Sequence, residues 1–271
     1  SQVQFGPELL RGEGLTLPGK LEHVSFSVRA GEIVGLGGLE GQGQRTAIRA
    51  IFGDQRFSQG SISVEDTPLK SGGIAERIRN GVAYVTHDRR GEGLVLTQSI
   101  RKNSALAALR RLCTLMGLVK EDEERTQVAE QMDSLQIKAS SMEELVSHLS
   151  GGNQQKVMLA RAIAQEPKLM LLDEPTSSLD PRNQYESMEL IRHCAHGHHI
   201  AVLVVIHDLN LALRFCDRFL FLKDGTVYAS GGREAVTSEN IRAVYGMDAA
   251  VEQFDGIPMV IPHFHAHSSP Y

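Results

Sequence analysis

Two short runs of apolar residues, each ending in polar side chains, place the strongest constraint on how this chain folds. Residues 169–172 are wholly apolar and lead into Asp173 and Glu174, and residues 201–206 lead into His207. Runs of this length without polar alternation are typical of strands that are covered on both faces. Such strands form parallel sheets, and α/β proteins bind ligands at the carboxyl edge of those sheets. The two runs therefore predict an α/β fold with a mostly parallel core sheet and a polar site at one edge.

A turn of small residues precedes the first run. Ser150, Gly151, Gly152 and Asn153 open a stretch with a helical pattern that continues to about residue 164. Glycines allow backbone N–H groups to approach a phosphate closely, and a helix directs the positive end of its dipole toward an anion. A Gly-Gly helix start alone is a weak signal, because it is usually only a turn. Followed by a buried strand with two terminal carboxylates, it becomes a specific pattern.

Together these segments resemble two motifs of the ABC ATPase family. Residues 149–153 match the signature motif, and residues 169–174 match the Walker B motif. The resemblance covers nearly the whole chain and implies a P-loop NTPase fold that binds ATP and Mg²⁺. It implies that Asp173 helps to hold Mg²⁺ and that Glu174 polarises the attacking water. The alternative, a pair of surface acids that cap a strand, would not account for the signature motif.

The resemblance also assigns roles at a dimer interface. In the family, the signature turn (residues 150–153) closes over the γ-phosphate bound by the opposite subunit rather than serving its own nucleotide. Asp180 falls in the D-loop that crosses the same interface, and Pro181 suits the first position of a helix. His207 matches the switch histidine that contacts the γ-phosphate. An isolated histidine at a strand end would more often be a structural hydrogen-bonding group.

The segment after a predicted strand at residues 33–36 departs from the P-loop pattern, which is Gly, four residues, Gly, then Lys and Ser or Thr. Gly38 and Gly43 have the required spacing. Gln44 stands at the Lys position and Arg45 at the Ser/Thr position, while Thr46 comes one place too late. We expect a nest of backbone donors for phosphate that lacks the ammonium charge and the hydroxyl ligand for Mg²⁺. The predicted nucleotide-binding segment comprises Gly38, Leu39, Glu40, Gly41, Gln42, Gly43, Gln44, Arg45 and Thr46.

Residues 32–49 and 81–94 resemble the second ATPase half of sugar and nucleoside importers. Such halves are normally fused behind a first half with an intact loop, give their signature motif to the competent site, and keep a degenerate site of their own. His87 aligns with the Q-loop glutamine that couples Mg²⁺ to the membrane subunit, so the resemblance makes His87 a candidate metal-site residue. No aromatic residue for adenine stacking occurs in residues 15–20. These departures predict weak nucleotide binding at this chain's own loop.

The C-terminal part resembles a different branch of the family. Residues 207–210 and 219–225 are similar to iron-siderophore or cobalamin importer ATPases, whereas the second halves of sugar importers usually lack the switch histidine. The chain is therefore predicted to be a mosaic, with the change between about residues 149 and 180. Natural recombination and a laboratory chimera both remain open as its origin.

The order of the motifs predicts a single ABC ATPase domain over residues 1–271. Residues 1–94 and 149–271 are expected to form a RecA-like core with an antiparallel edge sheet, in which residues 24–28 alternate apolar and polar. Residues 95–148 are expected to form a helical subdomain. The individual elements predicted are helices at 105–118, 121–135, 153–164 and near 239–245, and strands at 61–64 and 82–85.

Composition narrows the classes of function. The longest wholly apolar run is only a handful of residues, so we expect no transmembrane helix, and no signal-peptide pattern opens the chain. A formal net charge of −5 argues against a nucleic-acid binder. Three cysteines, Cys113, Cys194 and Cys216, lack metal-binding spacing and suit a reducing cytoplasm.

Three functions remain possible at this point. The favoured one is the ATP-binding subunit of an ABC importer, cytoplasmic and peripheral on the inner face of the cell membrane. Its partners would be a second ABC ATPase subunit, in a homodimer or a heterodimer, and integral membrane permease subunits. The second is a soluble ABC ATPase that acts on chromosomes or ribosomes, for which long heptads, a basic patch or tandem domains would be expected. The third is a non-hydrolytic ABC module that only gives its signature motif to a competent partner.

Overall fold

The computed structural model describes residues 4–114 and 119–263, and twelve strands lie in these residues. The strands are β1 (Glu8–Leu17), β2 (Leu21–Arg29), β3 (Ile33–Gly37), β4 (Gln59–Val64), β5 (Thr67–Leu69), β6 (Val82–Val85), β7 (Leu169–Asp173), β8 (Ala201–Val205), β9 (Arg218–Lys223), β10 (Thr226–Gly231), β11 (Ala249–Phe254) and β12 (Ile257–Pro262).

Nine α-helices and a few shorter helical turns occur in the same residues. The α-helices are α1 (Gln44–Phe52), α2 (Ile74–Arg79), α3 (Ile100–Ala105), α4 (Leu109–Leu112), α5 (Glu121–Ser134), α6 (Gly151–Ile163), α7 (Pro181–His198), α8 (Leu209–Phe215) and α9 (Ser238–Tyr245). A π-helical turn covers Arg89–Gly93, and 3₁₀ turns cover Leu106–Ala108, Val146–His148 and Arg233–Ala235.

The central sheet has six strands in the order β10-β9-β3-β8-β7-β6. Five of them run parallel, and β10 pairs antiparallel with β9 at one edge. Every residue of β3, β7 and β8 is buried, which explains why their sequences are continuous apolar runs. The prediction of an α/β fold with a mostly parallel core sheet is confirmed.

A second, antiparallel sheet has the strand order β2-β1-β4-β5. The alternation predicted for β2 is present, because Val24 and Val28 are buried while Ser25 and Ser27 are more exposed. The core between this sheet, α1 and the facing side of the central sheet contains Leu10, Val28, Leu36, Ile48 and Leu171.

The opposite face of the central sheet is covered by helices. Side chains of α6, α7 and α8 form one apolar cluster with the alternate residues of β7 and β8, including Val157, Met188, Leu213, Met170 and Val204. Each large apolar side chain buried in this way contributes about 1.5–3 kcal/mol. Both faces of the sheet are thereby fixed, so the carboxyl ends of its strands form a rigid edge.

The segment 95–148 is helical in part, but the helix predicted over residues 105–118 is wrong. The chain forms α3, a 3₁₀ turn and the four-residue α4, and then Cys113 takes an extended conformation and pairs with Val119. This pairing turns the chain back, so a continuous helix cannot pass through it. Residues 115–118 of the predicted helix lie outside the described residues.

Other predicted elements agree closely with the structure. α5 begins at Glu121 as predicted, with four acidic residues in its first turn, where they complement the helix dipole. β6 coincides with the predicted strand 82–85, and α9 with the helix predicted near 239–245. Beyond α9, the β11–β12 hairpin is held to α8 by the Asn210 side chain, which pairs with the backbone N–H and C=O of Val260.

Candidate functional site

The polar residues that end the two apolar runs lie together at the carboxyl edge of the sheet. Asp173 is the last residue of β7 and has no exposed surface, and Glu174 follows it with a left-handed backbone (φ 49°). His207 comes two residues after β8, the neighbouring strand. His207 Nε2 lies 3.0 Å from Glu174 Oε1. The edge therefore presents two adjacent carboxylates and a histidine that orients one of them.

The loop between β3 and α1 is shaped by glycines. Gly38, Gly41 and Gly43 all have positive φ, at 142°, 84° and 114°. A Cβ on Gly38 would lie 2.5 Å from the carbonyl oxygen of Leu222, so the position accepts no side chain. The Gly38 N–H donates to the Tyr245 hydroxyl at 2.8 Å, which anchors the start of the loop to α9. Burial raises the pKa of Tyr245 to about 12 and keeps this phenol neutral.

Gln44 turns inward, under the loop. Its side chain is almost completely buried, and Nε2 donates to the Leu39 carbonyl at 3.0 Å. An amide at the Lys position of the P-loop template therefore supports the loop from within but supplies no charge to a phosphate.

Arg45 reaches across the site to both carboxylates at the end of β7. Its Nε lies 3.3 Å from each oxygen of Asp173, and its Nη2 donates to Glu174 Oε1 at 2.8 Å. Burial acts to lower the pKa of Arg45, but the charges of Asp173 and Glu174 outweigh this and raise it. The guanidinium is thus a permanent positive charge between the two acids.

Asp173 has further donors on the side facing β6. The Tyr84 hydroxyl donates to Asp173 Oδ2 at 3.1 Å, and His87 Nδ1 lies 3.1 Å from the same oxygen. Burial and the nearby Asp173 charge raise the pKa of Tyr84, so the phenol keeps its proton. Tyr84 was not identified from the sequence. Its place as the next-to-last residue of the predicted strand 82–85 was the available signal.

Glu174 is held in its ionised form. Burial acts to raise the pKa of Glu174, but the hydrogen bond from His207, followed by the charge of Arg45, brings it below its ordinary value. A carboxylate kept ionised can accept a proton from water, although its Oε1 is already engaged by two donors.

The predicted loop residues border two open cavities. The first, of about 270 Å³, lies between the loop and the carboxyl edge, and its walls include Glu40, Arg45, Thr46, Glu174 and His207. Arg49 and Gln55 also line it and were not predicted from the sequence. The second, of about 770 Å³, lies on the other side of Gly41 and is lined by Thr16, Lys20 and the turn at Asp224 and Gly225.

Gln42 and Leu39 have different surroundings in this loop. The Gln42 carbonyl accepts from Gly225 N–H at 3.1 Å and its side chain accepts from Asp224 N–H, which ties the loop to the β9–β10 turn. Leu39 is exposed at the tip of the loop.

The signature turn lies on the surface at the start of α6. Ser150 caps the helix, and its Oγ accepts from the side-chain amide of Asn153 at 3.2 Å. Asn153 Oδ1 accepts from the Lys138 N–H at 3.0 Å. A Cβ on Gly152 would lie 2.2 Å from Asn183 Oδ1, so this glycine is required for the close packing of α6 against α7. The turn is therefore firmly held, with Ser150 exposed, Gly151 and Asn153 partly exposed and Gly152 buried.

Asp180 caps the next helix beside the signature turn. Its Oδ1 accepts from the Asn183 N–H at 3.0 Å, and this hydrogen bond lowers the pKa of Asp180. Pro181 occupies the start of α7, as predicted. Within residues 4–114 and 119–263, no hydrogen bond or ion pair joins the turn at Ser150–Asn153 to the phosphate loop. The phosphate loop and the signature turn are therefore separate in this respect.

Comparison with known proteins identifies the family. Residues 21–177 match the family model described as ABC transporter. An uncharacterized ABC transporter ATP-binding protein of Methanocaldococcus jannaschii, MJ0089, is 39% identical over 242 residues, which cover 89% of this chain and 91% of that protein. The chain belongs to the ABC transporter ATP-binding family.

A further relative and a solved structure extend the comparison. The ribose import ATP-binding protein RbsA of Geobacillus kaustophilus is 37% identical over 246 residues, which cover 90% of this chain. The chain spans about half the length of that relative, 49% of it. The solved dimeric ATP-binding cassette MJ0796, bound to ADP and phosphate, superimposes with a TM-score of 0.71 at 24% identity, covering 83% of this chain and 99% of that one. This last likeness confirms the predicted ABC cassette fold.

The residues predicted to bind Mg²⁺ can be compared with the ligands that a divalent cation needs. Asp173 and His87, the predicted Mg²⁺ site, lie together, but Arg45 contacts both oxygens of Asp173. Arg45 also stands at the Ser/Thr position of the P-loop template, so the loop has no hydroxyl there. The residues present therefore do not fit a divalent cation.

Across the described part of the chain, every helix is too short or too polar to be a membrane span.

Proposed function

We propose that this chain is the ATP-binding subunit of a solute importer and that it works in a dimer with a second ABC ATPase subunit. In that dimer it gives its signature turn to the nucleotide on the partner's loop. The observation that carries the proposal is the contrast between the signature turn and the phosphate loop. The signature turn is complete in sequence, with Ser150 exposed and Gly151 partly exposed, whereas the Gln44 side chain is buried under the loop and Arg45 is paired with the chain's own acids.

The chain's own loop is proposed to be degenerate and to turn ATP over slowly. Glu174 is the proposed base for the attacking water, and His207 fixes its orientation. Arg45 and His207 both hold Glu174 Oε1, so the carboxylate must loosen one contact before it can serve a water. This cost supports slow intrinsic hydrolysis. In the limit of no hydrolysis, the chain would be a module that serves only its partner's site.

The importer assignment rests on the relatives. The RbsA proteins are named as ribose import ATP-binding proteins, and we extend import of a sugar-like solute to this chain by similarity. Integral membrane permease subunits would then be its partners, and the cytoplasmic face of the membrane its place. The helical segment has a cavity of about 480 Å³ with exposed apolar side chains beside it, those of Val95, Leu106 and Val119. These side chains support a docking surface for such a subunit. The net charge of −5 supports a partner other than nucleic acid.

A complementation experiment tests the proposal. The loop-restored chain, Gln44→Lys with Arg45→Ser, is combined with Ser150→Arg so that it has a repaired loop but no working signature turn. This triple variant and the unmodified chain should each hydrolyse ATP slowly. Their mixture should be at least about tenfold faster than the sum, a gain of roughly 1.4 kcal/mol in the barrier, because one composite site then combines a repaired loop with an intact signature turn.

The controls define what the mixture means. The loop-restored chain with Ser150 intact should hydrolyse ATP alone and sets the upper limit for a composite site. Mixing the triple variant with itself provides the baseline at equal protein concentration. If the unmodified chain adds no more activity than its own slow rate, the proposed action across a dimer is wrong.

A further inference from the structure

The Arg45 guanidinium occupies the position between Asp173 and Glu174 where a cation is needed. Asp173 is completely buried, and Glu174 is adjacent in sequence, so two negative charges are confined to one end of β7. Two carboxylates on adjacent residues in a partly buried site repel each other strongly unless a positive charge lies between them. Arg45 supplies that charge through Nε to Asp173 and Nη2 to Glu174.

The donors around Asp173 leave little for a metal ion to replace. Oδ2 has Tyr84 and His87 within 3.1 Å, and Arg45 Nε lies 3.3 Å from both oxygens. The planar guanidinium fork matches carboxylate oxygens in fixed directions and stays charged at all ordinary pH values. A buried carboxylate with three donors is already satisfied, so it gains little from a further cation.

A Mg²⁺ ion would have to displace this arrangement. Mg²⁺ requires near-octahedral oxygen ligands at about 2.0–2.1 Å and keeps several waters. Arg45 brings no oxygen, and a divalent cation placed beside its guanidinium would be repelled. Thr46, the nearest hydroxyl in sequence, lines both the cavity at the carboxyl edge and the cavity on the other side of Gly41.

We propose that Arg45 is a built-in counter-ion for Asp173 and Glu174, and that this loop binds a nucleoside di- or triphosphate as the metal-free anion. The inference rests on the proposed function in taking the loop as a nucleotide site. Arg45 then does two things: it neutralises the carboxylates that would otherwise repel phosphate, and it presents part of its charge to the cavity, since its side chain is 38% exposed. Arg49, a second guanidinium in the cavity wall, adds to the attraction for an anion.

Nucleotide affinity in the presence and absence of metal tests this inference. ATP and ADP binding to the unmodified chain is measured by calorimetry in excess EDTA and in excess MgCl₂ at equal ionic strength. The dissociation constant in EDTA should equal or fall below that in MgCl₂. In Arg45→Ser, binding in EDTA should weaken by at least about tenfold, since about 1.4 kcal/mol of charge compensation is lost, and MgCl₂ should restore it.

Two further measurements separate Arg45 from a general charge effect. Arg49 lies in the same cavity wall, but its guanidinium pairs with Asp54 and not with Asp173. Arg49→Ser should therefore weaken nucleotide binding equally in EDTA and in MgCl₂. Mn²⁺ serves as a spectroscopic probe of the carboxylates: in the presence of ATP, electron paramagnetic resonance should detect protein-bound Mn²⁺ with Arg45→Ser but not with the unmodified chain.

The results distinguish this inference from the proposed function. Binding that requires Mg²⁺ in the unmodified chain, or no nucleotide binding in either buffer, overturns the inference that this loop binds nucleotide as the metal-free anion. Either result leaves the complementation experiment unaffected, because that experiment uses the unmodified chain only for its signature turn and the restored loop of the variant for the nucleotide. Metal-independent binding together with failed complementation would instead retain the role of Arg45 and reject action across a dimer.

Discussion

The phosphate loop and the signature turn both place glycines ahead of a helix, α1 in one case and α6 in the other. At the signature turn, Ser150 bonds to Asn153, Asn153 also accepts from the Lys138 N–H, and Ser150 remains on the surface. At the phosphate loop, Gln44 bonds back to Leu39, and Arg45 bonds to acids 128 and 129 residues away. Similar local backbone can therefore be left open to a ligand or closed by the chain's own side chains. Two residues, Gln44 and Arg45, make the difference.

Ser150→Arg in the otherwise unmodified chain is the change that tests this comparison most directly. The long cationic side chain would fill the space in front of the signature turn, so the complemented ATPase rate should fall to the sum of the separate chains. Steady-state phosphate release measures it. Ser61→Arg, at an exposed position of β4, is the matched control and should leave the rate unchanged. Equal loss in both variants would mean that the signature turn has no special part.

Glu174→Gln should act differently in the two chains of the mixture. In the loop-restored chain it removes the proposed base of the working site, and turnover should fall by about 10²–10⁴-fold. In the unmodified chain the same substitution affects only the slow site, so the complemented rate should persist. The ATPase rates of two mixtures, each with Glu174→Gln in only one of the two chains, measure this difference. A comparable loss from either chain would show that both loops take part in turnover.

Gly38→Ala and Gly41→Ala sharpen the comparison within the loop itself. A Cβ at Gly38 would meet Gln44 Nε2 at 2.3 Å and the Leu222 carbonyl at 2.5 Å, whereas at Gly41 nothing lies within 4 Å. We expect Gly38→Ala to destabilise the protein by about 3 kcal/mol, and Gly41→Ala by about 1 kcal/mol from its positive φ alone. Urea denaturation measures both. Equal losses would indicate that the loop is not packed as described.

Ser150→Ala should have the smallest effect. The Ser150 hydroxyl accepts from the Asn153 N–H at 3.4 Å, a long hydrogen bond, so its loss should cost about 0.5 kcal/mol, the low end for a helix cap. Thermal or urea denaturation checks this. A much larger loss would mean that Ser150→Arg acts through unfolding, and the complementation result would need that correction.

The fold could be predicted from the sequence because its strongest signals are local. The apolar runs of β7 and β8 follow from burial on both faces, and β6 was placed at its observed bounds. The helix predicted over 105–118 is wrong because the Cys113–Val119 pairing, which turns the chain, has no local signature. The division into a core and a helical subdomain, and the mosaic origin, stay predictions.

The site was predictable in its parts but not in its connections. The sequence identified Gln44 and Arg45 as departures from the template, yet it could not reveal that Arg45 reaches Asp173 and Glu174. That contact depends on the order of strands in the sheet, which brings the end of β7 near the start of α1. Tyr84 was missed for the same reason, since its partner Asp173 lies 89 residues away.

The hydrogen bond from Gly38 to Tyr245 has a consequence for the order in which the protein is completed. The two residues are 207 positions apart, and α9 ends at Tyr245. During synthesis, the beginning of the loop emerges long before the tyrosine that fixes it. Until α9 docks, the newly made loop lacks this anchor, so a nascent chain that stops short of Tyr245 would carry a loop held only by its other contacts, such as those of Gln42 with the β9–β10 turn. Assembly of the site is thereby coupled to the arrival of a helix near the far end of the chain.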